Sequence, residues 1–170
     1  IRVCTITMDY LDLYEEVDRV VPIGGKRWII GHLDVVTDEQ ARRIARLGIA
    51  MSTHTNRYIY KVSHLLREEL GPARESQIVP LQTLKAAGVH VGLATDNVPT
   101  TLFYPIWHTI ARENLHTKGR VAIDQRLSRE DALRAATIGG AWLTVEEDRK
   151  GSLGPGKLAD VTVLSRDIMT

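Results

Sequence analysis

His32 and Asp96 are the two side chains whose places along the chain equip them for chemistry. Each ends a short apolar run: His32 follows Trp28, Ile29, Ile30 and Gly31, and Asp96 follows the stretch 89–95. Runs of this kind suit strands buried on both faces of a parallel sheet. Two such strands in one sheet bring their last side chains to a shared mouth, where an imidazole nitrogen and a carboxylate oxygen are suitable ligands for zinc. Each residue alone also has an ordinary structural account. A strand-end histidine can be held by a hydrogen bond within the sheet, and Asp96 can cap a following helix or form an Asx-turn before Pro99.

The remaining histidines divide by context. His54 ends the run 49–53 and opens the polar stretch 54–58, so it can contact a substrate or a metal, or simply be solvated. His64, His90 and His116 read as structural or exposed, and His108, beside Tyr104, Ile106 and Trp107, reads as packed on a helix. Cys4 is the single cysteine and reads as a buried, inert thiol. With no second cysteine there is neither an internal disulfide nor a multi-cysteine zinc knuckle, so any metal is held by histidine and carboxylate.

The elements that must position these groups follow one another in a regular order. Residues 1–7 read as the inside of a strand, and 28–33 as a second one. Thr37, Asp38, Glu39 and Gln40 form a capping-box signature, which starts a helix carrying Ala41, Ile44, Ala45 and Leu47 and stopped by Gly48. A strand at 49–53, a helix at 63–70, a helix from Pro80 closed by Gly88, and a strand at 89–95 complete a β-α-β-α-β repeat. Such alternation predicts a parallel sheet with right-handed crossovers, either doubly wound or a (β/α)8 barrel, and both place chemistry at the C-terminal ends of strands. Beyond it, 104–111 reads as helical, Ser128 caps a helix carrying Leu133, Ala136 and Trp142, and 159–164 alternates like a strand. Residues 151–157 spell the phosphate-loop pattern G-x-x-x-x-G-K. Leu158 stands where Ser or Thr should follow, and a β-patterned run replaces the required helix, so nucleotide binding is rejected.

Composition sets the wider bounds. The 170 residues are 44% hydrophobic and 25% charged, with 22 Lys+Arg against 21 Asp+Glu, which excludes a disordered chain and a basic nucleic-acid footprint. No apolar run reaches the roughly 18 residues of a membrane span. The expected location is cytoplasmic. The first residue is not Met and the chain opens on a strand pattern, so the sequence is expected to be a piece of something longer.

Taken with the tail, 127–137 followed by Gly151-Ser152-Leu153 and 156–161, the segments Arg27 to His32 and Ala94 to Pro99 resemble the C-terminal half of metal-dependent amidohydrolases. The similarity is to the amidohydrolase 3 group, which includes D-aminoacylase-like and formamide-deformylase-like enzymes. It implies an α/β fold: residues 1–146 as about strands five to eight of a (β/α)8 TIM barrel, and 147–170 as the return to a small β-sandwich domain. It further implies one or two divalent metal ions, most simply zinc, held in part by His32 and Asp96. These two residues are also the expected catalytic pair. Asp96 would shuttle a proton for a water that attacks an amide-like, non-peptide C–N bond, while His32 ligates the metal or polarises the carbonyl. His54, Asn56, Arg57 and Asn97 would line the pocket of a small-molecule substrate.

The chain departs from the group's pattern where a strand-five histidine is usual. Here stand Cys4 and Thr5, of which at most one can face the barrel interior because strand side chains alternate. The His-x-His of strand one and the strand-four ligand are not in this sequence either. A companion segment of the same barrel, or a homo-oligomer, is therefore expected, and a non-catalytic binding or assembly subunit stays open as the second reading.

Overall fold

Three short parallel strands organise the molecule, in the order β1 (Ile29–Ile30), β2 (Ala50–His54), β3 (Val91–Ala94). The computed structural model describes residues 6–96 and 100–170. Ile29 is level with Ala50 and Ile30 with Met51, while Met51 to His54 run beside Val91 to Ala94. Because all three strands point the same way, their C-terminal ends open on one rim. The link from β1 to β2 is α2 (Asp38–Leu47), and the link from β2 to β3 holds α3 (Ser63–Leu70) and α4 (Leu81–Ala86). This is the alternating, parallel α/β order expected from the hydrophobic pattern.

The local signals explain why the links fold as they do. Thr37 accepts a hydrogen bond from the Gln40 amide at 3.2 Å and the Gln40 side chain accepts from the Thr37 amide at 2.7 Å, a complete capping box. Gly48 closes the same helix at φ 64°, a left-handed conformation that costs glycine little. The apolar side of α2 (Ala41, Ile44, Leu47) joins Met51 of β2 and Leu81 and Leu84 of α4 in one core. After β3 come α5 (Phe103–Ala111), α6 (Arg129–Ala136) and α7 (Ile138–Leu143), the last two packed on β3. A Cβ at Gly139 would stand 3.1 Å from the Val91 carbonyl oxygen, so a larger residue would push α7 a few tenths of an ångström from the strand.

Several expectations are corrected. Of the strand read at 1–7, residues 1–5, including Cys4 and Thr5, lie outside the described residues, and Ile6 and Thr7 belong to a helix, α1 (Ile6–Val20). Leu11, Tyr14 and Val17 recur at the three-residue spacing that lays them along one side of that helix, against the core. Arg43 of α2 fixes α1 from the other side, bonding Glu15 through Nε at 2.8 Å and also Asp12. The helix expected after Ser128 is two helices, broken at Thr137. The strand read at 159–164 does not form: the segment is exposed, and among the described residues no strand offers it a ladder of hydrogen bonds. No helix follows residues 151–157 either, as the rejection of a phosphate loop requires. Among the described residues no helix is long and apolar enough to cross a membrane.

Candidate active site

His32, His54 and Asp96 meet at the C-terminal rim of the sheet. His54 is the last residue of β2, paired with Ala94, while His32 and Asp96 each stand two residues beyond the ends of β1 and β3. The His32 and His54 rings lie 4.3 Å apart, centre to centre, and inclined at 49°. His54 Nδ1 is 3.2 Å from Asp96 Oδ2, ion-pair distance for a protonated ring but without the alignment of a directed hydrogen bond. His54 thus stands between the two residues that the strand pattern singled out.

Two of the eight non-glycine residues with left-handed backbone among those described lie at the same place. His32 and Asp96 both adopt left-handed φ values, 59° and 62°. Histidine and aspartate tolerate that region better than most side chains, yet it is sparsely populated, and such conformations gather at sites where the surroundings over-determine them.

The neighbouring wall is a wide, π-type helical turn, Asn56–Lys61, directly after β2. Turns of this kind are rare and often mark functional positions. It carries Tyr58, whose hydroxyl lies 3.3 Å from His32 Nδ1, with the two rings edge to face. Tyr58 lay in the polar stretch after the strand, but nothing in its spacing distinguished it. Asn56 is half-buried at the start of the turn. Arg57 is exposed, and its guanidinium lies 5.7 Å from the Tyr58 ring centre, a cation–π distance. Asn97 lies outside the described residues.

Behind the rim, Thr55 ties the site to α5. Its buried hydroxyl is 3.2 Å from Nδ1 of His108, which is 1% exposed and stacked on Tyr60 at 4.8 Å. His108 therefore occupies the packed helix position read from its neighbours. Burial pushes this imidazole down to about 4, so it is neutral at physiological pH. In the unfolded chain the same ring titrates near its ordinary 6.5. Between these values the unfolded state binds the extra proton, so stability falls as the pH drops from about 6.5 to about 4, by up to about 3 kcal/mol. Urea denaturation across that window should show the loss, and His108→Phe should flatten it. A variant as acid-sensitive as the parent would mean that another group is responsible.

Among the described residues no group of three or more His, Cys, Asp or Glu side chains is arranged to hold a metal ion by itself. The paired imidazoles and the carboxylate beside them are nonetheless a donor set of the chemistry that suits zinc, and His54 Nδ1 makes no directed hydrogen bond. The three residues fit part of a metal site.

A family model for the amidohydrolases matches residues 4–170. The chain belongs to the amidohydrolase family. Among curated relatives, this amidohydrolase chain is 28% identical over 140 residues to the N-substituted formamide deformylase of Arthrobacter pascens, a match covering 80% of this chain and 25% of that one. It is 37% identical over 87 residues to the imidazolonepropionase of Micrococcus luteus, covering 51% and 20%. A crystal structure of an uncharacterized metal-dependent hydrolase from Pyrococcus furiosus superposes with a TM-score of 0.73 at 26% identity, covering 96% of this chain and 32% of that one. The chain thus spans between a fifth and a third of the length of these relatives.

Proposed function

We propose that this chain supplies part of the active site of a metal-dependent hydrolase that cleaves amide-like, non-peptide C–N bonds in small molecules. The observation that carries the reading is the meeting of His32, His54 and Asp96 at one rim of a parallel sheet. The names of the relatives, a formamide deformylase and an imidazolonepropionase, support a C–N bond as the target. We read residues 1–146 as part of a (β/α)8 barrel completed by a companion segment, and 147–170 as leading into a β-sandwich layer. Exposed Trp28 and Ile29 at the β1 edge support that companion, because an uncovered apolar sheet edge seeks another surface.

His32 and Asp96 would contribute to holding a divalent cation, with further ligands from the companion segment, and His54 stands beside both. When bound, such an ion brings the pKa of the attacking water down to about 7 and polarises the carbonyl. Asp96 accepts the proton that this water loses as its oxygen bonds to the carbonyl carbon. The tetrahedral adduct then collapses with cleavage of the C–N bond, and Asp96 delivers the proton to the departing nitrogen. The two products are a carboxylic acid and an amine. His54, beside Oδ2, fixes the carboxylate in position through both transfers. Tyr58 holds the His32 ring from one side, and Asn56 and Arg57 on the same turn face the substrate pocket.

A second reading, a non-catalytic binding or assembly subunit on the same fold, has one observation in its favour: the described residues do not complete a metal cage. Elemental analysis of the full-length protein after zinc or manganese reconstitution, run beside a His32→Ala/His54→Ala double variant, separates the two. The hydrolase reading expects bound metal in the parent, less of it in the variant, and amine release from N-substituted formamides only by the parent. Equal metal content in both proteins and no amine release from either would favour the non-catalytic reading.

A further inference from the structure

His64 and His116 take no part in the rim site, yet they form a second imidazole pair. His64 is the second residue of α3 and His116 lies in the loop after α5. Their ring centres are 5.0 Å apart and the planes are inclined at 52°, so the rings are neither stacked nor edge to face. Two imidazoles that share one ion through nitrogens at about 2.0–2.1 Å, with a tetrahedral angle between them, have ring centres about 5 Å apart. The observed spacing matches that of a chelating pair in ring-centre distance.

The pair is also held in place before any ligand arrives. Asn114, 0% exposed, donates from Nδ2 to Ser63 Oγ at 3.1 Å and to the Tyr60 carbonyl at 3.0 Å, which anchors it next to His64. Its Oδ1 accepts from the His116 amide at 3.0 Å and the Thr117 amide at 3.1 Å. The Leu115 amide donates to the Tyr60 carbonyl at 2.7 Å. One buried side chain therefore ties together the backbones that carry both rings, which lowers the ordering cost of bringing them to a common ligand. His64 Nδ1 is enclosed and has no hydrogen-bond partner, although buried polar atoms almost always find one. Imidazole is a ligand for transition metals, not for calcium or magnesium.

We propose that His64 and His116 form a second, peripheral site for a divalent transition metal ion, with two protein imidazoles and water completing the coordination shell. No third His, Cys, Asp or Glu joins them among the described residues, so the ion is exchangeable and Cu2+ is the strongest binder in the series. The proposal does not depend on the hydrolase reading, since the rim residues are separate from it.

Cu2+ added to the full-length His32→Ala/His54→Ala variant, which removes this chain's two rim imidazoles, tests the site. Electron paramagnetic resonance should report one bound ion with hyperfine coupling from two nitrogens, displaced by excess Zn2+. Adding His116→Ala to that background should weaken binding at least tenfold and leave at most one coupled nitrogen, and His64→Ala should do the same. His116 is exposed, so its removal spares the fold, and circular dichroism verifies this. Failure of the double variant to bind Cu2+, or an unchanged affinity and two-nitrogen signal in the His116→Ala protein, would overturn the proposal.

Discussion

Replacing Asp96 by Asn in the full-length protein should lower kcat by about a hundredfold to ten-thousandfold, the range over which a positioned acid or base contributes to turnover. Asparagine keeps the shape of the side chain and accepts the left-handed backbone at this position, where φ is 62°. The Asp96 side chain is 46% exposed and its described contact is with His54, so the fold has little reason to change. What the amide cannot do is take a proton from water and return it to a nitrogen. KM should move far less than kcat. The measurement is steady-state hydrolysis of an N-substituted formamide by the metal-loaded protein, with circular dichroism verifying the fold. A kcat within a few-fold of the parent would remove Asp96 from the chemistry and with it the proposed route for the proton.

The sequence made visible those parts of the molecule that are governed by neighbours along the chain. Thr37 and Gln40 are three residues apart, and their reciprocal bonds need nothing else, so the start of α2 was readable from four letters. Strand ends were readable too, because a run such as Val91 to Ala94 is apolar for burial in the sheet and its polar successors must leave it. Register was not readable. That His54 sits beside Ala94, and so reaches Asp96, depends on how β2 slides against β3, and no local pattern encodes it. The same limit hid α1: an alternating start suggested a strand, while the helix-making contacts of Leu11, Tyr14 and Val17 are with a core gathered from distant segments. At 159–164 the alternation was real but no strand among the described residues lies beside it, and alternation alone does not make a sheet. Buried polar ties such as Asn114 to Ser63, 51 residues apart, are products of the tertiary fold alone.

Arg112 is the most consequential of those ties, and Arg112→Ala should destabilise the protein by about 3–5 kcal/mol, the usual cost of breaking a buried, charged network. The side chain is 0% exposed. Nε donates to the Val121 carbonyl at 3.0 Å, Nη1 to Val79 at 3.1 Å and Nη2 to Ile78 at 2.6 Å. Burial lowers its pKa to about 10, with Asp124 and Glu75 opposing the shift, so the guanidinium keeps its charge at neutral pH. The three carbonyls belong to two segments far apart in sequence, and both include residues that bend the wrong way for their type: Val79 at φ 44° and Ala122 at 50°, with Arg112 itself at 55°. Unfavourable backbone of this kind persists only where surrounding bonds hold it. Alanine would leave the Val121 and Ile78 carbonyls without their donors, the Val79 carbonyl keeping only the Leu81 amide at 2.9 Å, and it would open a cavity and free two strained segments to relax. Lysine tests whether the planar fork matters, since a single ammonium cannot fan out to three carbonyls in the same geometry. Arg112→Lys should therefore recover only part of the loss, as measured by urea denaturation of the full-length protein. A cost below about 1 kcal/mol for Arg112→Ala, in the range of an ordinary single hydrogen bond, would show that the strained segments at 79 and 122 stand without the staple.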